Sequence, residues 1–376
     1  MDFTRFDTAV DKLPRRRVGF YPTPFHALPN LSAAYGINLF MKREDLAGPS
    51  AISGSKMRLA EFILGRAIEE GVTHVITEGA YLTNSGLQFA AACLSARITP
   101  ILVLTRNVLR HGELGEFRGN YLLNKTMGVE THVINVTGNT WDAPEPAARI
   151  TDTIANRKAG LEAQGHKVLV VGAGGAHPDG FIAHALMFRE MLEQSDAAGA
   201  ELDFVYHAIG TGTALPGMLA AKLSLGHPVK FRSISIMRYN DGDWMNPGVI
   251  VERTKAVLAS LGAPVPDDAT IRAEIDIDQR ASSARTASSR PPKARQPSAS
   301  WPGQRAPSSA PPTPGRDSPD CSTTPAAGGS PPAATSRSCT PETSATCSKS
   351  PKSSATSPTE TAAHRPRRTR DIRRHQ

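Results

Sequence analysis

Between residues 38 and 236 the chain alternates short apolar runs with segments whose apolar residues recur at helical spacing, which predicts an α/β protein built on parallel, helix-covered sheets. Two observations carry that prediction, the runs themselves and the faces between them. A third, an abrupt change of composition near Arg280, ends the predicted fold there.

The runs are Asn38–Met41, His74–Thr77, Pro100–Leu104, Thr131–Val136, Lys167–Val171, Phe204–Ile209 and Phe231–Ile236, each short enough for a strand. Between them, Ala60, Ile63, Leu64, Ala67 and Ile68 fall at i, i+3, i+4, i+7 and i+8, one face of a helix. Leu215, Met218, Leu219 and Leu223 repeat the pattern. No internal repeat is evident.

From Ala281 to Gln376 the sequence has no Val, Leu, Phe, Tyr or Met, and Trp301 and Ile372 are its only large apolar residues. Such a stretch cannot bury enough apolar surface to offset the entropy of ordering it, so a disordered tail is expected. The tail holds 15 Lys+Arg against 5 Asp+Glu, while residues 1–280 hold 28 against 30. The basic charge of the whole chain therefore belongs to the tail, and nothing in the near-neutral part suggests a nucleic-acid or membrane surface. Three of the four cysteines (Cys321, Cys339, Cys347) also lie there at spacings that match no zinc pattern, leaving Cys93 in the folded part. No N-terminal stretch reads as a signal peptide and no run is long enough to span a membrane, so a soluble cytoplasmic protein is expected.

Three motifs carry chemistry. Gly210-Thr211-Gly212-Thr213-Ala214 follows the run ending at Ile209 and opens the helix bearing Leu215 and Met218. Small residues at a helix N-terminus let backbone N–H groups meet an anion, here a phosphate, without the Lys of a Walker loop. An ordinary strand-to-helix turn would read the same way. Gly54-Ser55-Lys56-Met57-Arg58 opens another helix after the charged run Lys42-Arg43-Glu44-Asp45. A lysine held at a helix start beside a phosphate has a lowered pKa and can act as nucleophile and proton carrier, whereas a lysine taken alone is usually a solvated surface group. Gly79 to Gln88 follows the run His74–Thr77; Thr83 or Asn84 can cap the next helix, or with Ser85 bind a substrate carboxylate and a cofactor oxygen.

Taken together and in this order, these motifs resemble the D-cysteine desulfhydrase and 1-aminocyclopropane-1-carboxylate deaminase family of pyridoxal-phosphate enzymes. The resemblance runs from Tyr21-Pro22-Thr23-Pro24 to about Ile236. It implies fold type II, the two-domain tryptophan-synthase-β-like fold, with a large domain of residues 1–58 and 166–280 and a small domain of residues 59–165. It implies pyridoxal 5′-phosphate as cofactor and Lys56 as the Schiff-base lysine. Thr83 stands where the family has serine and joins Lys56 as the second catalytic candidate. The implied cofactor contacts are Asn84, the strand-end glycines Gly174 and Gly175, and Gly210, Thr211, Gly212, Thr213 and Ala214. Thr83, Asn84 and Ser85 are the implied substrate contacts. The expected reaction is β-elimination or deamination of a small amino acid to a 2-oxo acid and ammonia, in a homodimer without a nucleic-acid partner. Leu82 and Ser85 replace the family's amide and imidazole, which puts its usual substrates in question.

The family also expects a tyrosine segment and a His-Thr-Gly motif after Ile236, and the tail has neither. Codons for Ser338 to Ser348, read one base earlier, can spell Phe-Leu-His-Thr-Gly-Asp-Ile-Gly-Asn-Val-Phe. In the same phase Thr313 to Ser322 can spell Tyr-Thr-Gly-Lys-Gly-Leu-Ala-Gly-Leu-Leu, and Ser283 to Ala287 can spell Gly-Pro-Tyr-Gly. A frameshift shortly before Ala281 is therefore expected, leaving the chain without sheet strands and part of the cofactor pocket, and so weakened or inactive as encoded. Two rivals remain. A nucleotide-dependent oxidoreductase is suggested by Gly172-Ala173-Gly174-Gly175 after a strand, but His177 occupies the third-glycine position of that fingerprint. A non-catalytic protein could instead bind nucleic acid through the cluster Arg365, Arg367, Arg368, Arg370, Arg373 and Arg374, although Trp301 alone could stack on bases there.

Overall fold

The computed structural model describes residues 2–49, 52–108, 117–137 and 144–280. The expected disordered and frameshifted tail, with its cysteines and its arginine cluster, lies outside the described residues.

The seven expected strands all form, with ends moved by at most a few residues. Strand β2 is Phe40–Lys42, β3 is His74–Ala80, β4 is Thr99–Asn107, β5 is Glu130–Val136, β6 is Val168–Val171, β7 is Phe204–Ile209 and β8 is Lys230–Ser235. Two short strands lacked a pattern long enough to read, β1 (Phe25–Ala27) and β9 (Ile277–Asp278). All pairings in the two larger sheets are parallel, and β1 and β2 form a separate antiparallel pair.

The four-stranded sheet runs β5-β4-β3-β6 and is covered on both faces. Along β4, Ile101 and Val103 point to one side, with Ile76, Ile134 and the helix Pro144–Glu162 through Ile150 and Leu161. Leu102 and Leu104 point to the other, against Ala90 of the helix Asn84–Ser95. This two-sided burial is what a run such as Pro-Ile-Leu-Val-Leu requires. Val168–Val171, which the sequence assigns to the larger domain, hydrogen-bonds into this sheet through β3.

The three-stranded sheet runs β7-β8-β9. Helix Lys56–Glu69 buries the predicted Ala60, Ile63, Leu64 and Ala67, while Ile68 stays 46% exposed. It packs with the helices Pro178–Ala197, Leu215–Leu225 and Pro247–Ser260 into the main core, where Leu59, Ile63, Phe188, Leu215 and Leu219 are almost fully buried. Each such side chain contributes on the order of 1.5–3 kcal/mol. Cys93 is buried in the same core. One face of β7 has no such cover: Phe204 is 53% and Tyr206 is 65% exposed. Among the described residues no helix is long and apolar enough to cross a membrane.

Candidate active site

A buried charge network sets the start of the helix that begins with Lys56. Arg58, 2% exposed, donates from Nε and Nη2 to both carboxylate oxygens of Glu44 (2.7 and 2.9 Å). The same guanidinium donates to both oxygens of Glu190 (2.9 and 3.0 Å), which in turn accepts from Lys42. Thr23 ties the two acids together, its hydroxyl donating to Glu44 at 2.7 Å and its amide to Glu190 at 2.9 Å. Tyr21 lies 4.0 Å from the guanidinium carbon, ring face on. The charged run Lys42 to Asp45 is thus the counterpart of Arg58, two residues beyond the candidate lysine.

The turn before Lys56 is set by Gln88, whose Oε1 accepts the Lys56 amide (3.1 Å). Gly54 has φ +153°, and a Cβ there would lie 2.5 Å from Gln88 Nε2, so only glycine lets Gln88 reach across. Lys56 forms no ion pair among the described residues; its Nζ lies 3.5 Å from Ser55 Oγ. Burial lowers its pKa to about 8, with Glu44 pulling partly the other way. At pH 7 about a tenth of this amine is free base, far more than for an ordinary lysine, and a nucleophile must be free base.

Lys56 opens on a cleft of about 720 Å³. The cleft brings together Lys56, Thr83, Asn84, Ser85, Gly174 and the whole of Gly210, Thr211, Gly212, Thr213 and Ala214, from four separate parts of the chain. Of the residues singled out by sequence, Gly175 alone does not line it. Gly175 sits behind the wall with φ +79°, where a Cβ would meet the Phe89 ring at 2.5 Å.

Thr83 does cap the helix Asn84–Ser95, accepting the Gly86 amide at 3.1 Å, and its hydroxyl also meets Ser85 Oγ at 2.9 Å. The capping and binding alternatives are therefore compatible in geometry: the paired hydroxyls face the cleft while one of them caps. Asn120, unmarked in the sequence, donates from Nδ2 to Asn84 Oδ1 (2.7 Å) and to the carbonyls of Leu82 and Thr83. That fixes the Asn84 amide group, leaving its NH2 side for the cleft.

The loop after β7 is held from behind. Arg253 donates to the carbonyls of Thr211 and Gly212 (2.7 and 3.0 Å), and the Tyr239 hydroxyl donates to that of Gly210. Among the described residues the backbone amides of Thr211, Gly212, Thr213 and Ala214 donate to no protein acceptor. Pinned carbonyls and unengaged amides at the start of the helix Leu215–Leu225 form a cradle that fits a phosphate monoester. Gly212 has φ +59°. Arg253 and Tyr239 carry no sequence signal because they act on the loop from 29 to 42 residues downstream, in segments with no motif of their own.

The model for pyridoxal-phosphate dependent enzymes matches residues 17–236. The chain belongs to that family. Pyridoxal-phosphate enzymes of fold type II, the tryptophan-synthase-β-like class, share its architecture. A putative 1-aminocyclopropane-1-carboxylate deaminase of Pyrococcus abyssi is 29% identical over 254 residues, covering 68% of this chain and 72% of that protein. A D-cysteine desulfhydrase of Klebsiella pneumoniae is 29% identical over 204 residues, covering 54% of this chain and 59% of that protein. The crystal structure of a 1-aminocyclopropane-1-carboxylate deaminase homologue superposes with a TM-score of 0.62 at 27% identity, covering 74% of this chain and 76% of that one. The chain thus spans only about three fifths to three quarters of the length of these pyridoxal-phosphate enzymes. Neither the oxidoreductase nor the nucleic-acid reading finds support in these relatives.

Proposed function

We propose that this pyridoxal-phosphate enzyme is a lyase or deaminase of small amino acids, releasing ammonia and a 2-oxo acid, with Lys56 as the residue that joins the cofactor and moves the substrate proton. The observation that carries the reading is a single amine, lowered to about 8 by burial, in one cleft with an unengaged amide cradle. The cradle Gly210 to Ala214 would hold the phosphate, with Arg253 keeping its carbonyls turned away. Gly174 would lie against the ring, and the Asn84 NH2 would donate to the ring oxygen. When bound, pyridoxal phosphate supplies an electron sink for the charge left as a proton leaves the substrate's α-carbon. The neutral Lys56 amine takes that proton at Nζ. Thr83 and Ser85 present two hydroxyls to the substrate carboxylate, and the half-buried Leu82 beside them adds no polar side chain.

The same reading takes the four-stranded sheet and its helices, within residues 59–165 and extended by Val168–Val171, as the small, substrate-side domain, and residues 1–58 and 178–280 together with helix Lys56–Glu69 as the large one. It treats the enzyme as cytoplasmic and as a homodimer, with a small amino acid as its partner and no use made of nucleic acid. The relatives' names support both a D-cysteine and a 1-aminocyclopropane-1-carboxylate substrate for this chain.

Borohydride reduction of the protein with pyridoxal phosphate, followed by peptide mapping, tests the assignment. A mass increment on the Lys56 peptide supports it. A folded protein that takes cofactor on another lysine, or on none, overturns it. Ammonia and 2-oxo-acid release from D-cysteine, L-cysteine, D-serine and 1-aminocyclopropane-1-carboxylate then ranks the substrates.

A further inference from the structure

The loop that carries Thr83, Asn84 and Ser85 is gripped from outside the cleft by the start of the helix Gly119–Thr126. Gly119 has φ +50°, and a Cβ there would lie 3.7 Å from Leu82 Cδ2. Asn120 donates from Nδ2 to the carbonyls of Leu82 (3.1 Å) and Thr83 (3.3 Å) and to Asn84 Oδ1 (2.7 Å). Tyr121 stacks on the buried Tyr81 ring with centroids 4.5 Å apart, and Phe117 extends the stack at 5.6 Å. From β4, the buried Arg106 places its guanidinium carbon 5.3 Å from the Tyr81 centroid. Each residue from Tyr81 to Asn84 thus has a partner at the start of this helix.

Two of the three acceptors of Asn120 decide the sense of the third contact. A backbone carbonyl can only accept, so the Asn120 amide must turn its NH2 toward Leu82 and Thr83. The same NH2 meets Asn84 and requires an oxygen there, since two donors cannot bond each other. The Asn84 NH2 is then left on the cleft side, and Asn84 lines the cleft while Asn120 does not.

We propose that Asn120 is the positioning residue that gives the cleft its donor at Asn84. The sense of that amide is passed from two carbonyls through Asn120 and is not chosen by the ligand. The inference deepens the lyase reading, in which the Asn84 NH2 meets the ring oxygen of pyridoxal phosphate, and rests on that reading for the ligand's identity. Asn84 is exposed, and an amide free to rotate about its terminal bond could present either NH2 or oxygen. With Asn120 in place, a ligand oxygen meets a donor already oriented, with no rotation left to freeze on binding. Asn120→Asp reverses the sense. A carboxylate only accepts, so the Asn84 NH2 turns to it and the Asn84 oxygen faces the cleft, against the oxygen of the ligand.

The experiment has two arms. In the first, the chain alone is isotope-labelled at asparagine and exchange of the side-chain NH2 protons is followed. The Asn120 NH2 is expected to exchange about tenfold more slowly than the Asn84 NH2, and in Asn120→Asp the Asn84 NH2 is expected to slow by a similar factor. In the second, the probes are inorganic phosphate and 4-deoxypyridoxine 5′-phosphate, which keeps the ring oxygen and the phosphate but cannot join a lysine. Asn120→Asp is expected to weaken deoxypyridoxine phosphate about tenfold and to leave inorganic phosphate unchanged. Added to Asn84→Ala, it is expected to cause no further loss, because its effect runs through the Asn84 amide. Equal exchange of the two NH2 groups, equal losses for both probes, or a loss that persists in Asn84→Ala overturns the proposal. The exchange arm uses no cofactor, so the role of Asn120 is decided there whether or not the lyase reading stands.

Discussion

Arg58 and Glu44 meet fork to fork, the guanidinium Nε and Nη2 each within 2.9 Å of a separate carboxylate oxygen. Arg58 is two residues past Lys56, and Glu44 lines the cleft that Lys56 faces. A structural ion pair and a reactive amine therefore share one short stretch of chain. Removing a single member of such a buried set leaves its partner charged and unpaired, which costs about 3–5 kcal/mol. Arg58→Met is expected to lower the unfolding free energy from denaturant titration by that amount, and Glu190→Gln by somewhat less because Glu44 still answers Arg58. A change within 1 kcal/mol for Arg58→Met would show that the network contributes little.

Lys56 has a pKa near 8 in the fold against 10.5 for a free lysine. Between those values the unfolded chain binds more protons than the folded one, so stability rises with pH across that window, and below about 8 the full penalty is present. Lys56→Met removes the penalty. It is expected to stabilise the protein at pH 7 by about 2–3 kcal/mol, with the gain fading as the pH approaches 10.5. Urea unfolding of both proteins at pH 7 and 10 checks the sign, and a pH-independent gain would place the effect elsewhere.

Arg253 does not itself line the cleft, yet its two bonds keep the Thr211 and Gly212 carbonyls turned away from it. Arg253→Met is expected to weaken pyridoxal-phosphate binding about tenfold, in line with two lost hydrogen bonds of about 1 kcal/mol each and partial replacement by water. Binding of pyridoxal, which lacks the phosphate, should be nearly unchanged. Equal losses for both would assign Arg253 to general packing.

Gly174 has φ +70°, and a Cβ there would come 2.0 Å from Thr211 Oγ1. The strand-end turn and the phosphate cradle are thus in contact through a missing methyl. Gly174→Ala is expected to cost about 1–3 kcal/mol from backbone strain alone, and more from the clash. Thr211→Gly in the same chain should recover the clash but not the strain, a difference that melting curves of the single and double variants resolve.

The motifs were legible because a phosphate cradle and a lysine turn use local sequence: Gly210–Ala214 and Gly54–Lys56 bend the chain with residues next to one another. Strand β4 was legible because two-sided burial leaves an unbroken apolar run, and the other strands because their short apolar segments stand between helical patterns. Arg253, Tyr239, Gln88 and Asn120 were not, because each reaches the site from another element and its neighbours in sequence say nothing of where its side chain ends. Strand β9 holds two residues, too few for any period to show. The resemblance implies a cofactor contact at Gly175, whose close neighbour in the fold is Phe89; no sequence spacing separates a glycine that approaches a ligand from one that approaches a ring.

The Cys93 thiol is fully enclosed, and burial pushes its pKa up to about 12. A thiol in that state is almost wholly protonated and out of reach of alkylating reagents. Each time Cys93 is modified, the core around helix Asn84–Ser95 must first have come apart. Mapped to its own peptide, the rate of that labelling is a clock for the opening of the molecule, running in any buffer and needing neither cofactor nor substrate.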